Sequence, residues 1–152
     1  MSRRSVLIES LEATPRDLAR LLRPVRDEDA LRRARAGAWC IAEVVAHLAY
    51  TERRQLERLR RIVAEDNPAV EYIADPGGHD LSQPPAELLR AFVDRRAETV
   101  AFLAALDQRG WGRPLVHPVS GPSRLRDQVQ LFVAHDNEHL EEIVRLREQL
   151  AP

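Results

Sequence analysis

Ser123-Arg-Leu-Arg-Asp-Gln-Val-Gln-Leu-Phe-Val-Ala-His135-Asp136-Asn137-Glu138-His139-Leu-Glu-Glu-Ile-Val-Arg-Leu-Arg-Glu-Gln-Leu150 carries a long helical repeat of apolar residues. Leu125, Val129, Phe132, Leu140, Ile143, Leu146 and Leu150 recur three or four residues apart, the spacing of an amphipathic helix that buries one face. Ser123 is the expected N-cap. With His135 at zero and about 100° per residue, Leu125, Phe132, Ile143 and Leu150 project between about 60° and 80°, and His139 at about 40°. His139 therefore faces the apolar side, with His135 at its margin. Asp136 projects at about 100°, onto the apolar stripe, where a carboxylate must find donors.

Three further segments share the period. The first runs from about Ser5 to Leu22 on Leu7, Leu11, Leu18, Leu21 and Leu22, with a kink or restart expected at Thr14-Pro15 because Pro cannot donate the helical bond. A short helical turn over Asp27 to Arg33 follows. The second helix spans Cys40 to about Glu65, with Ile41, Val44, Val45, Leu48, Leu59 and Ile62 inward and His47 at the stripe's edge. The third begins at Pro84-Pro85 and reaches about Asp107, burying Leu88, Leu89, Phe92, Val93, Val100, Leu103 and Leu106. Between the second and third lies Asp66 to Pro84, a long loop with Pro68, Pro76, Gly77 and Gly78; connections of this length are more often functional than incidental. Leu and Ala number 20 each against three Thr, so the composition favours helix throughout. The expected fold is all-α, a four-helix bundle in one domain over residues 1–152.

Absent residue types exclude several chemistries. With 23 Arg and no Lys there is no Schiff-base or pyridoxal-phosphate site and no phosphate-binding loop that needs Lys. The net charge of -1, with both signs interspersed, gives no electrostatic case for nucleic acid or an anionic membrane. Cys40 stands alone, so no intrachain disulfide forms, and a free thiol suits a reducing compartment. The apolar run Val6 to Ile8 is too short for a signal peptide or a membrane span, and the expected location is cytoplasmic.

The histidines carry the chemistry. His135 and His139, four apart on one helix, neighbour each other at metal-ligand spacing. His47, from the second helix, would complete three neutral nitrogen donors if the second and fourth helices are adjacent, and such a set holds Zn²⁺, Ni²⁺ or Fe²⁺ with open positions. The competing account makes His47 a hydrogen-bonded core residue and the pair ordinary surface histidines. His135-x-x-Glu138-His139 also matches an inverted zinc-protease motif, but only 13 residues follow His139 to supply another ligand, and Glu138 reads as solvated. Asp136 either orients a ligating imidazole or pairs with Arg or a backbone N–H. His79 and His117, in Pro/Gly-rich loops, are expected to be exposed. Trp39 and Trp111 are expected to pack at the bundle ends, and Arg95 or Arg96 is a candidate contact for an anionic substrate.

Taken together, Ile8-Glu9-Ser10-Leu11-Glu12-Ala13-Thr14-Pro15, Trp39-x-x-x-Glu43-x-x-x-His47-Leu48 and His135-Asp136-x-x-His139-Leu140-x-x-Ile143 resemble the DinB/YfiT-like superfamily. The resemblance implies an up-down-down-up four-helix bundle and a divalent metal on a triad of His47, His135 and His139. It also implies metal-dependent chemistry on a small-molecule substrate: S-transfer or isomerisation with a low-molecular-weight thiol, or hydrolysis. The isomerase branch usually adds a C-terminal domain, not expected in a chain ending at Pro152. A homodimer is a further expectation from the family. A non-enzymatic stress-related binding or scaffold protein, with a structural or vestigial metal site, is the alternative. The sequence departs from the family at Cys40, where relatives usually carry Ser or Thr. A thiol is a weak acceptor, so the cap on the second helix is expected to be weaker, and Glu43, one turn before His47, is read as a cap residue rather than as a group that approaches the metal.

Overall fold

The computed structural model describes residues 1–151. Helix α1 spans Arg3–Leu22, α2 Asp27–Ala30, α3 Ile41–Ala64, α4 Pro85–Ala105, α5 Gln108–Trp111 and α6 Leu125–Leu150. A hairpin of β1, Pro114–His117, and β2, Gly121–Arg124, pairs antiparallel with Leu115 opposite Ser123. The hairpin lies where the Pro and Gly content read only as a break between helices.

One helix start and one helix interior differ from expectation. Ser123 belongs to β2, and α6 is instead opened by Asp127, whose carboxylate accepts the Arg124 N–H at 3.1 Å. Helix α1 neither restarts nor breaks at Pro15. Proline leaves the carbonyl four residues back without its donor. That carbonyl, on Leu11, accepts Nη1 of the buried Arg96 at 2.8 Å, so the gap in the helical ladder is filled from α4.

Around the bundle, α1 and α3 each pack on both α4 and α6. The core has two layers. One joins Leu18 and Leu22 of α1, Ile41 to Leu48 of α3, Leu88 and Phe92 of α4, and Ile143 and Leu146 of α6. The other joins Leu7 and Leu11, Leu59 and Ile62, Leu103, and Leu125, Val129 and Phe132. The early residues of α1 and α6 thus share a layer with the late residues of α3 and α4, which makes the order up, down, down, up. Because α3 and α4 run parallel, the chain must return along the length of the 24-residue α3, ~36 Å, before α4 can start. Residues 65–84 make that return, which is why the connection is long. On its way the crossover is fixed to the hairpin, with Val70 N–H on Val116 O at 3.0 Å and Val116 N–H on Pro68 O at 2.9 Å.

Between the apolar layers lies a polar one, to which each long helix gives a side chain. Arg96 of α4 forms paired hydrogen bonds to Glu52 of α3, 2.8 Å each, and to Asp136 of α6, 2.8 and 3.0 Å, while Thr14 of α1 donates to Asp136 at 2.8 Å. All three charged residues are 2% exposed. Burial alone would push the guanidinium's pKa down, but the two carboxylates reverse it and raise it above its ordinary value. The Phe92 ring stacks beneath, its centroid 4.9 Å from the Arg96 carbon.

Candidate metal centre

Adjacent packing of α3 and α6 brings His47 opposite His135 and His139. Nε2 of His135 lies 3.1 Å from Nε2 of His47 and 3.1 Å from Nε2 of His139, so three ring nitrogens converge on one point. Four-coordinate ligand nitrogens about 2.1 Å from an ion sit ~3.4 Å apart, and at right angles ~3.0 Å, so the spacing fits a shared cation. The donor set agrees. Nδ1 of His47 faces Asp75 Oδ2 at 2.5 Å, and Nδ1 of His139 faces Glu142 Oε2 at 2.8 Å. With those nitrogens donating to carboxylates, Nε2 of both rings carries a lone pair. One N–H on His135 cannot satisfy both neighbours at once; a cation satisfies all three.

The surroundings favour the neutral form of two of the rings, His47 and His135. Burial lowers the His47 pKa, opposed in part by Asp75. His135 is pushed down to about 3, first by burial and then by the charges of His139, His47 and Arg96. Asp75 is itself pushed up by burial, but hydrogen bonds from the Gly77 N–H, His47 and His79 outweigh that and hold it below the usual carboxylate range.

Asp75 is the residue that periodicity could not reveal. It sits in the crossover, 28 positions from His47, and its one local signal is Asp75-Pro76-Gly77, an Asx-type turn in which the carboxylate accepts the Gly77 N–H at 2.8 Å. Gly77 and Gly78 have φ of 71° and 66°, backbone that glycine adopts without strain. Asp136, the carboxylate singled out from the sequence, hydrogen-bonds none of the three imidazoles among the described residues; its partners are Arg96 and Thr14.

Other expected placements change. His79 is not exposed: its Nε2 shares Asp75 Oδ2 with His47, at 2.8 Å, and its ring packs by Tyr50. His117 is half-buried at the end of β1, where Nδ1 accepts the N–H groups of Val119 and Ser120 at 3.2 Å. Arg96 is locked in the polar layer, and Arg95 donates to Ala49 O, so neither reaches the histidines. Trp111 is buried as expected, but Trp39 forms a wall of the site, its ring 5.0 Å from that of His47. Glu138 is exposed, which leaves the protease-like motif without a base at the nitrogens. Glu43 accepts the Cys40 N–H at 2.8 Å and a paired contact from Arg33, so it caps α3, and buried Cys40 is a packing residue whose thiol burial pushes up.

The sequence pattern of the DinB superfamily matches residues 10–143, from α1 to past the second histidine motif. The chain belongs to the DinB superfamily. Relatives of this DinB-superfamily chain include proteins of Bacillus mycoides (strain KBAB4) and Bacillus cereus (strain B4264), provisionally named metal-dependent hydrolases. They are 25% and 22% identical over 146 residues, 94% of this chain and 84% of each relative. Among solved structures, YfiT from Bacillus subtilis, described as a provisional metal-dependent hydrolase with an unusual four-helix bundle topology, superposes with a TM-score of 0.85. It is 22% identical over 99% of this chain and 90% of its own. TT2238, a four-helix bundle protein, gives 0.71 at 22% identity, covering 93% and 98%.

In this DinB-superfamily bundle the three nitrogens stand at one end of an open cleft of about 580 Å³. Its walls are Trp39, Phe132 and Leu131, the crossover segment Tyr72 to Asp75, and His117 of the hairpin. Along its floor α3 presents His47, Thr51, Gln55 and Arg58. No described helix is long and apolar enough to cross a membrane.

Proposed function

We propose that this chain is a metal-dependent enzyme acting on a small molecule, with His47, His135 and His139 as ligands of one divalent ion. The observation that carries the reading is the convergence of three Nε2 atoms, 3.1 Å apart in two of the pairs, at the end of a solvent-open cleft. Three nitrogen donors leave coordination positions free, which separates a reactive centre from a closed structural one. An ion of the Zn²⁺, Ni²⁺ or Fe²⁺ class would act there as a Lewis acid that brings the pKa of a water or thiol toward neutrality. The relatives' names favour water as nucleophile, hence hydrolysis; a small cofactor thiol is the second candidate.

The chain's own residues do the rest. Asp75 and Glu142 fix the tautomer and orientation of His47 and His139. Trp39 and Phe132 put apolar surface into the cleft that the nitrogens share, and that cleft offers room for a substrate alongside. The open coordination weighs against the alternative of a non-enzymatic binding or scaffold protein, whose metal would be enclosed by protein. One domain, a cytoplasmic location and a homodimer complete the reading.

Metal analysis of freshly purified protein, followed by calorimetric titration with Zn²⁺ and Ni²⁺, tests it. About one ion per chain is expected, with binding abolished in His139→Ala. Equal affinity in the variant and the parent overturns the triad. A panel of ester, amide and thiol-transfer substrates then assigns the reaction.

A further inference from the structure

The far end of the same cleft holds a cation without an acidic partner. Arg58 lies eleven residues beyond His47 on α3, so its Cα is ~16 Å along the helix axis from that of the ligand. It is half-buried, and its guanidinium is held by uncharged groups alone: Nη1 donates to Gln128 Oε1 at 3.2 Å and Nη2 to the Glu71 backbone carbonyl. Among the described residues no carboxylate lies within 4.0 Å of it. The acid whose field reaches it, Glu71, turns its side chain to Arg61 at 3.2 Å and is 84% exposed. The charge is therefore positioned but not neutralised, in a setting where burial disfavours it.

Its neighbours in the cleft are hydrogen-bond donors. Gln55 is 6% exposed, lines the cleft, and its side chain has no hydrogen-bond partner among the described residues. His117 uses Nδ1 to accept two backbone N–H groups, which places its proton on Nε2. Burial and the positive charge of Arg58 both lower its pKa, so it stays a neutral donor. Gln128, fully buried, has its oxygen committed to Arg58 and acts as the guanidinium's support.

We propose that Arg58, with Gln55 and His117, forms an anion subsite that binds a carboxylate at the end of the substrate remote from the metal. The inference rests on the metal reading above and adds the class of molecule: an elongated monocarboxylate whose reacting group reaches the histidines. One guanidinium flanked by neutral donors supplies a single positive charge, matched to a carboxylate rather than to a dianionic phosphate. The nonpolar cleft walls Phe132, Leu131 and Ile73 suit the alkyl stretch between the two ends.

The test uses the full chain loaded with Co²⁺, whose thiolate absorption reports a thiol entering the coordination sphere. The probes are mercaptohexanoate and mercaptoundecanoate against mercaptohexanol and mercaptoundecanol, which share the metal-binding head and differ at the remote end. Parent protein should bind the better-fitting carboxylate at least tenfold more tightly than its matched alcohol. Arg58→Gln should reduce that preference to below threefold while still binding one Co²⁺, Arg58→Lys should retain part of it, and His117→Ala should lower it with the fold intact. Equal binding of acid and alcohol by the parent overturns the subsite, as does an unchanged preference in Arg58→Gln. Displacement of the carboxylates by inorganic phosphate more strongly than by acetate at equal ionic strength overturns the carboxylate assignment. Failure to take up Co²⁺ overturns the metal reading itself, and is seen before any thiol is added.

Discussion

At the residue scale, two kinds of carboxylate lie near the histidines and do different work. Asp75 and Glu142 touch ring nitrogens; Asp136, next to a candidate ligand in sequence, faces the opposite way into the polar layer. Asp75→Asn should keep the fold and weaken Zn²⁺ binding by ~10–100-fold, the usual cost of losing a carboxylate that orients a ligating imidazole. Asp136→Asn should do the reverse: metal affinity stays within about threefold of the parent, while the metal-free protein melts several degrees lower because Arg96 loses half of its buried neutralisation. Chelator-competition titrations and thermal melts on the two variants read both quantities. A larger affinity loss in Asp136→Asn than in Asp75→Asn would falsify this division of roles. The sequence exposed Asp136 as a buried carboxylate through its helical projection, but projection gives a direction and not a partner. It missed Asp75 because a crossover loop has no period to read.

At the element scale, His47 joined the pair of His135 and His139 only through the family resemblance, whereas the pair itself was legible because its members share a helix turn, and the four long helices were legible because each repeats its apolar residues at helical spacing. The hairpin was not: Pro114, Pro118, Gly121 and Pro122 look the same in an unstructured connection, and two four-residue strands are too short to establish alternation. Pro15 misled for a different reason. Its cost in α1 is offset by a donor from another helix, Arg96, which no local reading can supply. Arg96 thus ties four helices at one level, through Leu11 O on α1, Glu52 on α3 and Asp136 on α6. Arg96→Met leaves two buried carboxylates without a counter-charge and should destabilise by about 3–5 kcal/mol. At about 2–4 °C per kcal/mol for a chain of this size, the melting temperature should fall by roughly 6–20 °C. Replacing Glu52, Arg96 and Asp136 together with apolar residues of similar volume should recover most of that loss. A drop below about 2 °C in Arg96→Met would show that the layer contributes little to holding the helices in register.

At the scale of the whole molecule, the parallel pairing of α3 and α4 forces residues 65–84 back along the bundle, and that return path walls one side of the cleft and delivers Asp75 to His47. The topology and the candidate centre are therefore linked through one loop, and so are stability and protonation. His47 and His135 have folded-state pKa values below their ordinary 6.5, His135 at about 3. Below about pH 6.5 the unfolded chain binds more protons at these sites than the folded chain does, so stability rises with pH across that window. Their contribution is fully present above about pH 6.5 and is lost as pH falls toward about 3. Asp75, also depressed, contributes above its unfolded value near ~3.9 and weakens only in more acid solution, so its effect falls at the bottom of the same titration. On the proposed metal reading a second effect is expected, because protons and an ion would compete for the same nitrogens. Melts of metal-free and Zn²⁺-loaded protein from about pH 8 to pH 4.5 should show two trends: a falling metal-free melting temperature below about pH 6.5, and a Zn²⁺-dependent increment that shrinks toward zero over the same interval. His135→Asn should flatten the first trend and remove the second. A Zn²⁺ increment that persists undiminished at about pH 5 would mean that the ion is held by groups other than these three imidazoles.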